Sequence, residues 1–126
     1  MPEITLRDGR RIDAEAGKRL VLALEDGGVD ILHRCGGNAR CTTCRVEFLD
    51  GEPDRMTAAE YARLEAHELL GKVRLSCQIL CEADMRLDVL KTLSNSDLDD
   101  AGPRPDDAIT PPPEWREAPP AVPREV

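Results

Sequence analysis

A chain of 126 residues with 40% hydrophobic residues and a formal charge of −8 has room for one domain with a modest core. The negative balance excludes a general affinity for nucleic acid or an anionic lipid surface, both of which demand a positive face. The longest apolar run, Leu20-Val21-Leu22-Ala23-Leu24, is far too short to cross a bilayer, and the opening residues lack the charged and apolar regions of a secretory leader. A cytoplasmic monomer is therefore expected, with no membrane partner.

Glu3-Ile4-Thr5-Leu6-Arg7 and Arg10-Arg11-Ile12-Asp13-Ala14 alternate at period two around Asp8-Gly9, which predicts a β-hairpin. The stretch Lys18 to Asp26 places Leu20, Val21, Leu24 and, at its margin, Leu22 on one helical stripe, and Gly27-Gly28 supplies the stop. Val29 to Leu32 leads into a cysteine-rich loop, and Cys44 to Leu49 returns as a strand ended by Asp50-Gly51. Thr57-Ala58-Ala59-Glu60 reads as a capping box opening a second helix from about Ala58 to Leu70. Arg74 to Ile79 and Met85 to Leu90 read as the last strands. From Ser96 onward there are eight acidic residues against three arginines, with eight of the ten prolines. That composition offers little to bury, so residues 96–126 are expected to be a disordered acidic, proline-rich tail appended to a domain over 1–95. Trp115 in that tail is expected to pack weakly or lie exposed.

The chemistry concentrates in Cys35-Gly36-Gly37-Asn38-Ala39-Arg40-Cys41-Thr42-Thr43-Cys44, followed far downstream by Cys77 and Cys81. Without an export signal, such crowding speaks for metal ligation and not for disulfides. Three thiolates from one loop and a fourth from a distant segment suit a [2Fe-2S] cluster, which carries a formal charge of about −2 when oxidised and about −3 when reduced. Gly36 and Gly37 can adopt positive φ and bring backbone N–H groups up to the sulfurs. The hydroxyls of Thr42 and Thr43 can serve the sulfurs or merely mark a loop entering a strand. Arg34, Arg40 and Arg45 surround the loop; cations there favour the more negative reduced state, unless they are solvated or paired. Either Cys77 or Cys81 can complete the set.

Spacing, glycine loop and strand context together resemble the [2Fe-2S] ferredoxins of the plant and adrenodoxin type over about residues 3–92. Five residues between Cys35 and Cys41 match the adrenodoxin-like pattern, as does Ser76-Cys77-Gln78-Ile79 around the fourth ligand. Those relatives commonly follow the third ligand with His, where this chain has Arg45. The resemblance implies an α+β, β-grasp fold: a mixed sheet with one main crossing helix and a second short helix. It assigns Cys35, Cys41, Cys44 and Cys77 as ligands and leaves Cys81 as a free, buried thiol. It also implies a single-electron carrier, not an enzyme, working between a ferredoxin reductase and an electron-accepting protein such as an oxygenase or biosynthetic enzyme. An acidic face formed by Asp50, Glu52, Asp54, Glu60, Glu65 and Glu68 is the expected docking surface, interrupted by Arg55 and Arg63.

Three other readings compete. A structural zinc module can be built from Cys41, Cys44, Cys77 and Cys81, although it leaves Cys35 and its glycines unexplained. A dithiol oxidoreductase at Cys41-Thr42-Thr43-Cys44 would want its first cysteine at a helix start, where a strand is expected instead. An iron-sulfur regulatory sensor would use the tail as its output. His33 is expected to be a structural imidazole and His67 to lie on a solvated helix face.

Overall fold

The computed structural model describes residues 2–40, 42–93 and 101–118. The predicted hairpin forms from β1 (Glu3–Leu6) and β2 (Arg11–Asp13), paired antiparallel with Ile4 opposite Ile12. Helix α1 (Leu20–Asp26) follows, ending at Gly27, and β3 (Arg45–Asp50) brings the chain out of the cysteine loop. Next come β4 (Arg55–Thr57), α2 (Ala58–Ala66), β5 (Arg74–Leu75) and β6 (Met85–Val89). The last strand, β7, is Trp115–Glu117.

Five strands make one mixed sheet in the order β2-β1-β6-β3-β5. The central β1 and β6 run parallel with Ile4 beside Met85, and β3 lies antiparallel to both β6 and β5. This is the expected α+β, β-grasp arrangement, a mixed sheet with two helices, although the second helix, at nine residues, is longer than the seven-residue α1 and not the short one expected. Leu20, Val21, Leu22, Ala23 and Leu24 of α1 are all buried, joined in one core by Ile4, Leu6, Val46, Leu75, Ile79, Met85 and Leu87. A helix buried on every side over its first turns must be covered on both faces.

Three expectations need correction. Arg74 to Ile79 is not one strand: pairing stops at Leu75, and Ser76–Gln78 form a turn of 3-10 helix. That turn takes Cys77 out of the sheet. Helix α2 ends at Ala66, four residues before the predicted Leu70, with Glu68 in the left-handed region at φ 57°. The capping box is only half made. Glu60 N donates to Thr57 Oγ1 at 3.1 Å, but the Glu60 side chain turns inward to Arg74 and the Leu75 amide.

The structure also describes part of the stretch expected to be a disordered tail. Within the stretch read as disordered, residues 101–118 pack on the body; 94–100 and 119–126 lie outside the described residues. Strand β7 pairs antiparallel with β4, Trp115 opposite Thr57, in a second, two-stranded sheet. Ile109 is 5% exposed and Pro105 is buried. Arg104 reaches Asp26 Oδ1 at 2.9 Å and Glu25 Oε2 at 3.3 Å. Trp115 is partly exposed, with the Arg55 guanidinium 4.0 Å from its ring centroid. Proline-rich chain has little entropy to lose on ordering, so a few anchors of this kind suffice.

Candidate metal centre

The described residues between His33 and Cys44 form no helix or strand, and their curvature comes from residues in the left-handed region. Gly36, Gly37 and Ala39 have φ of 70°, 82° and 57°. At Gly37 there is also no room for a side chain, since a Cβ would stand 2.7 Å from both Arg19 Nη2 and Pro105 Cβ. Consecutive turns of this kind direct main-chain N–H groups to one concave side. Ala39 N–H bonds to the Cys77 thiol. Outside the bowl, Gly36 N donates to His33 O and Asn38 Nδ2 donates to Cys35 O, each at 2.8 Å.

Cys44 and Cys77 are buried and Cys35 is half-buried at the rim. A hydrogen bond from Cys44 pulls the Cys77 thiol below its ordinary range; burial opposes it, Gln78 and Ala39 add to it, and nearby Cys35 works against it. Cys41 lies outside the described residues. The 3-10 turn holds the Cys77 segment beside β3, for Ser76 Oγ and N both donate to Cys44 O, at 2.9 and 3.1 Å. Gln78, fully buried, spans the site: its Nε2 donates to Thr110 O at 2.9 Å and lies 3.6 Å from Cys77 Sγ, while Thr57 Oγ1 donates to its Oε1 at 2.8 Å.

Cys81 stands apart. Its backbone is tied to the Gly17-Lys18 turn by Cys81 N to Lys18 O and Gly17 N to Cys81 O, and burial pushes its thiol up to about 11 with only Lys18 pulling the other way. The zinc reading needed Cys81 beside Cys77, and the Cys81 backbone is bound instead at the Gly17-Lys18 turn. Among the described residues no three His, Cys, Asp or Glu side chains gather around a single-ion site. A diiron cluster has a different demand, dividing its thiolates between two irons. Soft donors converging from a loop and a turn, an N–H group aimed at sulfur and a glycine-lined bowl fit that cluster.

The polar residues of the loop are already engaged. Arg45 folds back on Thr42, Nε to O at 2.8 Å and Nη2 to Oγ1 at 2.7 Å, and Thr43 Oγ1 accepts from Arg34 N at 3.1 Å. Arg34 and Arg40 are exposed. Arg63 Nε donates to Ala39 O at 3.1 Å and joins α2 to the loop. His33 is 1% exposed with Nε2 3.3 Å from Glu25 Oε1, in keeping with a structural imidazole, and His67 lies on the surface.

The buried cation of the site is one that sequence reasoning missed. Arg19 is fully buried and occupies the N-cap of α1 without capping it. Its Nε and Nη2 donate to Cys77 O at 3.0 and 2.6 Å, and Nη2 to Gly37 O at 2.6 Å. Nη1 donates to Asp106 O at 2.7 Å and Ala108 O at 3.2 Å. Burial lowers its pKa, while Cys77 and Cys44 and, more weakly, Asp106 pull it back up. The only trace in the chain is an arginine where serine, threonine or aspartate normally opens a helix, and that does not predict burial.

The docking face needs revision too. Glu60 is buried, its Oε2 2.8 Å from Arg74 Nε, and Glu52 is 3.3 Å from Arg74 Nη1. Glu65 and Glu68 remain exposed, as do Asp50 and Asp54.

A mixed sheet gripping one helix, with thiols gathered beneath a glycine loop, defines an iron-sulfur protein of the ferredoxin class. The chain belongs to the 2Fe-2S iron-sulfur cluster binding domain family, whose model matches residues 4–82. It is 30% identical over 87 residues to the F subunit of the Na(+)-translocating NADH-quinone reductase of Methylococcus capsulatus, covering 69% of this chain but 21% of that protein. The match to the same protein of Shewanella denitrificans is 32% over 80 residues, 64% of this chain and 19% of the relative. This chain thus spans about a fifth of the length of these curated relatives. Among solved structures, a ferredoxin from Rhodopseudomonas palustris HaA2 is 30% identical with a TM-score of 0.53, covering 71% of this chain and 96% of that one. A reduced putidaredoxin variant from Pseudomonas putida is 29% identical with a TM-score of 0.51, covering 69% and 92%.

Proposed function

We propose that the chain is a one-electron carrier, not an enzyme, in which Cys35, Cys41, Cys44 and Cys77 hold a [2Fe-2S] cluster. It takes electrons from a reductase and passes them to an electron-accepting protein, working as a cytoplasmic monomer. When bound, the cluster supplies reversible one-electron chemistry. The protein's part is to hold four thiolates in a fixed, mostly dry pocket, so that little rearranges when the charge changes. The observation that carries this reading is the gradient of exposure: Cys44 and Cys77 are sealed in the core while Cys35 is half-buried in a loop whose Arg34 and Arg40 are exposed. An edge of that kind brings a docked partner close to the cluster without admitting substrate. A covalent complex of putidaredoxin reductase with putidaredoxin, 31% identical to this chain over 70% of its length with a TM-score of 0.54, supports a reductase as donor.

The test begins with anaerobically purified protein. Visible and electron paramagnetic resonance spectra should show a [2Fe-2S] centre that takes one electron. With NADH, a ferredoxin reductase and cytochrome c as final acceptor, cytochrome reduction should depend on this chain, and the chain alone should not oxidise NADH. NADH oxidation by the chain alone would make it an enzyme; a colourless zinc protein would end the carrier reading.

A further inference from the structure

A guanidinium at zero exposure is costly unless an anion or a full set of acceptors meets it. Around Arg19 the acceptors are four main-chain carbonyls, those of Gly37, Cys77, Asp106 and Ala108. Carbonyl oxygens satisfy the N–H groups but carry no net charge, and among the described residues no carboxylate forms an ion pair with Arg19. Asp106 meets it through its main-chain carbonyl, and its side chain is exposed. The full positive charge is therefore left facing the ligand sulfurs, through the backbone of the two segments that carry them.

We propose that Arg19 is the built-in counter-charge of the cluster, a positioning residue that sets its reduction potential and clamps the cysteine loop, the Cys77 turn and the 101–118 segment together. Two contacts place it there. Nη2 bridges Gly37 O and Cys77 O at 2.6 Å each, so one nitrogen locks both sides of the ligand set. Nη1 holds the 101–118 segment as a lid, which keeps water from screening the charge. Because the thiolate-bound centre gains one negative charge on reduction, a fixed cation beside it stabilises the reduced state more than the oxidised one. Exposed Arg34 and Arg40 are screened by solvent, and Arg45 is turned to Thr42, so the buried arginine dominates. The proposal rests on cluster binding by this chain, and a wild-type protein that assembles no cluster would refute that reading and not the role of Arg19 alone.

The experiment compares wild type with Arg19→Gln and Arg19→Lys in the full chain, by optical redox titration alongside circular dichroism and iron content. Lysine keeps the charge but cannot reproduce the planar fork. In Arg19→Gln the reduced-to-oxidised ratio at a fixed potential should fall at least tenfold, a shift of about 59 mV or more to the negative for one electron. Arg19→Lys should stay nearer wild type in potential even if it melts earlier. A glutamine variant that loads its cluster at unchanged potential overturns the proposal, as does a lysine variant that shifts as far as glutamine. If glutamine folds but holds no iron, lysine retaining the cluster supports the counter-charge; folded variants that both fail to retain it assign Arg19 to carbonyl bridging alone.

Discussion

Cys77 and Cys81 lie one short turn apart in the chain yet face different worlds. The first bonds to Cys44 and to the Ala39 amide; the second is held at the Gly17-Lys18 turn with its thiol pushed up to about 11. Cys77→Ser should therefore lose or alter the [2Fe-2S] spectrum and bind less iron per chain, while Cys81→Ser should keep both, as read by absorbance and iron assay. The reverse pattern would exchange the two assignments. The crowding of thiols was open to reading in the sequence because it is confined to one loop and one downstream segment. Arg19 was not, because a charged residue beside an apolar run normally marks a solvent-facing helix end, and its burial depends on carbonyls brought in from Gly37, Cys77 and Asp106. Glu60 misled for a similar reason: its helix face looked solvated until β5 brought Arg74 against it.

At the scale of elements, hairpin, helix and β3 followed from period and turn chemistry, which are local. The β4–β7 pair did not, since each strand has three residues and gains its stability only from the other and from the body. Ile109, 5% exposed, is the apolar anchor of the 101–118 segment. Ile109→Ala should cost about 2 kcal/mol in chemical denaturation, and acrylamide should quench the single tryptophan, Trp115, more readily. Unchanged stability and quenching would mean that the segment is not part of the cooperative unit. The ionic tie between this segment and α1 has its own pH signature. Hydrogen bonds from Arg104 and Lys18 hold the Asp26 carboxyl down to about 2 from its ordinary 3.8. A carboxylate lowered on folding adds stability above its unfolded value and loses it as pH falls through the folded one. The stability difference between wild type and Asp26→Asn should therefore be constant above about pH 5 and shrink between about pH 4 and pH 2, in urea titrations of the metal-free protein. Partial exposure of the pair keeps the effect small and salt-sensitive.

For the molecule as a whole, a charge of −8 predisposes it to basic partners, and the exposed carboxylates of Asp50, Asp54, Glu65 and Glu68 are the part of the expected docking face that remains. Arg63, on the same helix as Glu65, touches the cysteine loop at Ala39 O, so a partner seated on α2 sits beside the metal centre. The Glu65→Gln, Glu68→Gln double variant should slow reductase-coupled turnover several-fold at low ionic strength and flatten its salt dependence, at unchanged thermal midpoint. Turnover indifferent to both salt and the substitutions would move docking elsewhere. The parallel pairing of β1 with β6 has a consequence for biosynthesis. The strand made first is left without its central neighbour until nearly all of the domain has left the ribosome, Ile4 waiting for Met85. The loop bearing Cys35, Cys41 and Cys44 is thus synthesised well before the sheet beneath it can close. Iron delivery must wait for, or itself complete, the last step of folding, and a nascent chain that stalls before β6 presents all five of its sulfhydryls on an unfinished scaffold.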